Sequence, residues 1–266
     1  MKQLTAEQIQ ENWNKLIQLI KDTFSEEYPD NRREKLLKMY HHFEDRMTVA
    51  PASGKEHYHN AHVGGYVEHV LHVIDCAVQI KELWVKNNAT INFTDEELIF
   101  AAMHHDLGKV GDLDKDYYVP QDSEWHRKNR GEIFTHNGEL SYMTVTDRAI
   151  FLLGHFQIPM SENEYIGLRL TDGLYEEANK NYYISWNPDW GLKSNIAYVL
   201  HQADSMATHI ESDMWKRGEN AEQKEEKVHL DNIRTAAKVD STEKVEDGDM
   251  KQRSQDLFDE LFGGKK

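Results

Sequence analysis

Cysteine, proline and cationic side chains are all scarce in this chain. Cys76 is the one cysteine among 266 residues, which excludes an intrachain disulfide. It falls inside an apolar helical run, where a buried thiol behaves as a small hydrophobe. Proline occurs five times, and not at all between Pro51 and Pro120, so helices there meet no proline break. Lys and Arg number 31 against 47 Asp and Glu, a net charge of −16. That balance opposes wholesale binding of nucleic acid backbones or anionic membranes, though a local basic pocket remains compatible with it. No apolar run approaches the roughly 20 residues of a membrane-spanning helix. The N-terminus lacks the apolar core of a signal peptide, so a cytoplasmic location is expected.

What is abundant is apolar residues at helical spacing, and an all-α fold is expected. Thr5-Ala6-Glu7-Gln8 reads as a capping box, followed by Ile9, Trp13, Leu16, Ile20 and Phe24 on one stripe. Pro29 breaks that helix, and a second is expected from Asn31 to about Arg46. Residues 1–50 form an N-terminal helical layer packed on a core domain spanning 51–218. In that domain, Asn60 is expected to cap a helix running to about Asn87. Thr94-Asp95-Glu96-Glu97 is a second capping box, and Gly108 suits the far end of its helix. Further helices are expected from about Thr146, from Ser161 to Thr171, and from about Lys193 to Trp215. Residues 219–266 are charged and poor in large apolar groups, and read as a solvated helix or a partly disordered tail.

Three stretches carry chemistry. The first is His57-Tyr58-His59-Asn60-Ala61-His62-Val63-Gly64-Gly65-Tyr66-Val67-Glu68-His69. The second is His104-His105-Asp106-Leu107-Gly108-Lys109, where an imidazole and a carboxylate on adjacent residues can converge on one cation if the helix ends there. The third is Asp204, inside the apolar stripe Ile196, Leu200, Ala203, Ala207 and Ile210. A carboxylate on such a stripe is costly to bury unless it is paired or ligates a metal. His62, Tyr66 and His69 fall three or four apart, with His62 a boundary imidazole facing either a hydrogen-bond partner or a substrate. His72 and His104 read as structural, and Lys109 follows the His-Asp pair where a phosphate oxygen can meet it.

In order, His69, His105-Asp106 and Asp204 resemble the ligand series of the HD-domain superfamily. The Gly-Gly-x-x-x-His run and the Gly-Lys tail are similar to its phosphohydrolase and exonuclease branches. The resemblance spans about residues 57–210. It implies an HD-type helical bundle whose His69, His105, Asp106 and Asp204 bind a divalent transition metal. Such a nitrogen and carboxylate mixture suits Mn, Fe, Co, Ni or Zn. The expected activity is phosphohydrolysis of a nucleotide or similar small phosphate ester. Asp106 and Lys109 are the catalytic residues, and His62, Lys109 and Arg148 contact the substrate. His62 and Asp172 are candidates for the general acid. One ion is favoured. A two-metal version, including an HD-type di-iron oxygenase, would enlist His136 and His155, only 19 residues apart. A 3'–5' exonuclease is a further alternative, which the net charge opposes, and a metal-stabilised adaptor is a non-enzymatic one.

Two segments stand outside that frame. Gly111 to Gly138 shows little periodicity and holds Trp125-His126-Arg127-Lys128-Asn129-Arg130, which reads as a solvated turn or as a flap supplying cations to a phosphorylated substrate. The terminal Leu257, Phe258, Leu261 and Phe262 can share one helical turn. They either fold back onto the domain or enter a partner's groove. The peptide is similar to those by which phage polymerases and transcription factors hold a sliding clamp, and that second alternative would suit a phage-encoded chain with a protein partner.

Overall fold

Helix starts follow the caps. The computed structural model describes residues 4–27, 31–185 and 187–217, so the tail and its terminal motif lie outside the described residues. Thr5 accepts from Gln8 N and Gln8 returns the bond, opening α1 (Ala6–Thr23). The expected second helix is two elements, α2 (Arg32–His42) and α3 (Glu44–Met47), split at Phe43. The helix after the Gly-Gly pair, α4 (Gly65–Lys86), begins later than expected. Asn60 does not cap it. It takes φ +42 in the preceding loop, and Gly64, at φ +81, makes the turn into the helix. Thr94 and Glu97 close the second capping box at α5 (Asp95–His104).

The region after Lys109 is more ordered than its composition suggested. Strands β1 (Tyr118–Pro120) and β2 (Phe134–His136) pair antiparallel and flank the short helix α6 (Glu124–Arg130). The basic run therefore lies on that helix, where Lys128 pairs with Glu124 and Arg130 stacks on Trp125. Then follow α7 (Val145–His155), capped by Thr144, α8 (Glu162–Arg169), capped by the Ser161 box, the short α9 (Lys180–Tyr183), and α10 (Ile196–Lys216).

The central layer is α4 with α10 packed along it and α5 beside it, and α8 closes against both α5 and α10. The N-terminal helices share this core: Trp13 packs on Tyr40, and Phe24 meets Phe100 of α5 edge-on. Arg32 locks the layer down. Its guanidinium lies 4.1 Å over the Phe100 ring and 2.6 Å from the fully buried Glu164 of α8. Removing one partner of such a buried pair leaves the other charge uncompensated, costing about 3–5 kcal/mol. Among the described residues no helix is long and apolar enough to cross a membrane.

Gly108 earns its place by close approach rather than as a helix cap. The helix gives way to a 3-10 turn (Leu107–Val110), and a Cβ on Gly108 would lie 2.0 Å from the Val145 carbonyl oxygen at the start of α7. Gly108→Ala should therefore cost at least the about 1–3 kcal/mol typical of overpacking. Chemical denaturation of the two proteins measures it, and equal midpoints would contradict the contact.

Candidate metal centre

The His-Asp pair works because α5 ends inside it. His105 keeps helical angles, while Asp106, at φ −106 and ψ 11, leaves the helix and turns its carboxylate back. His105 Nε2 then lies 3.5 Å from Asp106 Oδ2. His69, on α4, brings its Nε2 to 3.4 Å from His105 Nε2 and 3.7 Å from Asp106 Oδ2. Asp204, on α10, places Oδ1 3.4 Å from His69 Nε2 and 3.7 Å from His105 Nε2. Three helices with long sequence separation thus aim four donor groups at one point. Donors about 2.0–2.2 Å from a transition metal ion sit about 3–3.5 Å from one another, so this donor set fits such an ion.

Hydrogen bonds at the backs of the rings fix their direction. His105 Nδ1 donates to Ala102 O at 2.8 Å, which leaves Nε2 as the inward lone pair. His69 Nδ1 is held at 3.0 Å by Glu211 Oε2. Lys109 Nζ donates to Asp106 Oδ2 at 2.6 Å and to Ala52 O at 2.8 Å. One lysine thereby ties the loop before α4 to the carboxylate of the His-Asp pair.

Burial alone would raise the carboxyl pKa values and lower those of the imidazole and amine; the charges reverse this. Burial would push Asp204 up, but the bond to His69 and the charge near His105 hold it well below the usual carboxylate range. Asp106 is held down in the same way, chiefly by Lys109. Burial would lower His69, yet Glu211 and Asp204 outweigh it and raise its pKa to about 10. Lys109 is raised against burial by Asp106. Without an ion, the pocket is negative enough to hold a proton on His69.

Two residues of this centre escaped the sequence reading. Glu211 is buried and accepts from both His69 and His72, the latter at 2.7 Å. Its signal was present: it lies seven residues after Asp204, on the same apolar stripe. The second is His59. Its ring centroid is 4.6 Å from that of His69, and it offers a donor atom within 4.8 Å of donors on His69 and Asp106. Burial, then the charges of His69 and Lys109, lower its pKa to about 3, so it stays neutral. Lying on a loop, it had no helical periodicity to single it out.

Other expected site residues stand outside the donor groups, and Asp172 alone of them is near enough to feel the charges of Asp106, Asp204, His105 and Lys109. His62 has Nδ1 on Val63 O at 3.1 Å and Nε2 3.2 Å from Glu68, and pairs with none of the cluster residues. Arg148 is buried and donates through Nη2 to Ser141 O at 2.7 Å, while its Nε has no partner among the described residues. It lies close enough to Asp112 and Tyr117 to act on their charges. Asp172 is raised by the protein around it and then by Asp106 and Asp204. His136 packs on Tyr117 and Tyr118, His155 on Phe151 and Phe156, and neither joins the donor groups at the centre. His104, read as structural, is buried with Nδ1 on Phe100 O.

Comparison of the chain with protein-family models, with curated proteins and with solved structures finds no match in any of the three.

Because an ion must displace the proton on His69, metal affinity should rise with pH, about tenfold per unit across the neutral range, and level off near pH 10. Titration calorimetry in buffers of different ionisation enthalpy counts the proton released. An affinity flat over that range would show that no proton on His69 competes with the ion. Glu211→Gln should weaken metal binding about 10–100-fold by loosening the His69 ring, with the helical signal intact. Unchanged affinity would leave Glu211 as packing alone.

Proposed function

We propose that this chain is a metal-dependent phosphohydrolase of the HD type, acting on a nucleotide or similar small phosphate ester. The observation that carries the reading is the convergence of His69, His105, Asp106 and Asp204 on one point, with Lys109 on Asp106 Oδ2. Three lines of chemistry support it. The donors are imidazoles and carboxylates, the set that suits Mn, Fe, Co, Ni or Zn. The same His69 Nε2 faces all the other donors, which favours one ion over two. A buried ammonium adjoins the donors, where charge accumulates on a phosphoryl group.

Bound there, the ion would supply Lewis acidity toward a phosphoryl oxygen and acidify a water molecule. The chain's own residues do the rest. His69 and His105, fixed from behind by Glu211 and Ala102 O, hold the donors in place before any ligand arrives. Lys109 has used two of its three donors, and the remaining N–H can meet a substrate oxygen as negative charge develops on it. Asp172, whose proton is held more tightly than an ordinary carboxyl's, is the candidate that keeps a proton for the leaving group. The di-iron reading needs His136 and His155 as ligands, and neither joins the donor groups among the described residues.

A phosphate-release screen across nucleotides and sugar phosphates, run with each divalent metal and with metal content measured on the same sample, tests the proposal. Lys109→Ala should keep its metal and lose turnover by about a hundredfold to a thousandfold, the scale of one charge-stabilising group. His69→Ala and Asp106→Ala should lose both metal and turnover. Turnover at the wild-type rate in metal-free protein would overturn the reading.

A further inference from the structure

We propose that His59 is a fifth protein ligand of the same ion, which makes the centre a five-donor site for metals that accept six ligands and disfavours tetrahedral zinc. The inference rests on the metal-binding reading above and deepens it.

His59 Nε2 is buried and has no hydrogen-bond partner among the described residues. A buried imidazole nitrogen without a partner is costly unless something absent from the polypeptide completes it. Its surroundings name that something. It offers a donor atom within 4.8 Å of donors on His69 and Asp106, and its ring lies 4.6 Å from the His69 ring between centroids, tilted by 40°.

The loop that carries His59 is held at both ends. Ser53 Oγ donates to His59 O at 2.7 Å, and Ala52 N donates to Asn60 O at 3.1 Å. Asn60 takes the left-handed conformation, and the close approach of its carbonyl leaves no space for a Cβ on Gly65. Lys109 grips the same loop through Ala52 O. The imidazole is thus delivered by a fixed backbone rather than swinging on a free one.

The geometry also decides between one ion and two. The donor groups His59, His69, Asp106 and His69, His105, Asp204 both need His69. Its Nδ1 is committed to Glu211, so Nε2 is its one available donor, and a single lone pair serves a single ion. Sharing His69, the two groups can serve one ion, which three imidazoles and two carboxylates would then surround. With each carboxylate giving one oxygen, five positions are filled and one stays open for water or substrate. Mn, Fe, Co and Ni accept six ligands readily, whereas protein-bound zinc favours four.

Cobalt(II) reports the ligand number, because its visible band is weak in five- or six-coordinate sites and intense in four-coordinate ones. Wild-type protein loaded with cobalt should show the weak band. His59→Ala, with His59→Gln as a polar replacement of similar reach, should show a stronger band, roughly 10–100-fold weaker cobalt affinity, and a shift toward zinc when cobalt and zinc compete. Circular dichroism of the metal-free proteins checks that each variant is folded. If either folded variant matches the wild type in band and affinity, His59 is not a ligand, while the four-residue centre stands. If the wild type takes up no divalent ion at all, this inference and the proposed function fall together.

Discussion

Everything at the centre of this protein answers to one electrostatic problem. Three carboxylates meet the same imidazoles, with Asp106 and Glu211 buried and Asp204 keeping a quarter of its side chain exposed. Burying a carboxylate without compensation is far more costly than any single packing gain can offset. Lys109 and the proton on His69 supply part of the compensation, and their raised affinity for protons shows how negative the pocket remains. A divalent cation, if bound, would complete the balance better than a proton, because it would satisfy several donors at once. The site is one in which the apolar fold and the buried charge are solved together.

The fold serves that solution by bringing distant segments onto short, stiff elements. α4, α5 and α10 pack side by side, and each contributes donors from a buried face. Backbone carbonyls and Glu211 lock the imidazole rings from behind, so the donor directions are set by hydrogen bonds formed within the protein. Gly108 lets α7 press against the turn that carries Lys109, and Arg32 with Glu164 pins the N-terminal helices over the opposite side. The packing layer and the metal centre therefore share one continuous core, and a defect in either is felt by the other.

The segment from Gly111 to Gly138 shows the opposite economy. Its small sheet and α6 leave many charged side chains in solvent, and an isolated bridge between Lys55 and Glu132 joins it to the His59 loop.

Capping and apolar spacing made the helices readable one residue at a time, since Thr5, Thr94 and Ser161 act on bonds three residues away. The set His69, His105, Asp106 and Asp204 was legible through its resemblance to the HD-domain ligand series, and periodicity by itself supported only Asp204, a carboxylate on an apolar stripe that must have a partner. Glu211 lay on that same stripe, but nothing local says that its oxygens meet His69, 142 residues earlier. His59 and His62 are three residues apart in one loop, and no period distinguishes them. Only the path of the backbone placed His59 beside His69 and Asp106 and His62 beside Glu68. Local hydrogen bonds and side-chain periodicity act over a few residues, and those the sequence determined by itself. Which loop imidazole joins the His-Asp cluster depends on how α4, α5 and α10 pack across more than a hundred residues of chain, and that only the tertiary structure decided.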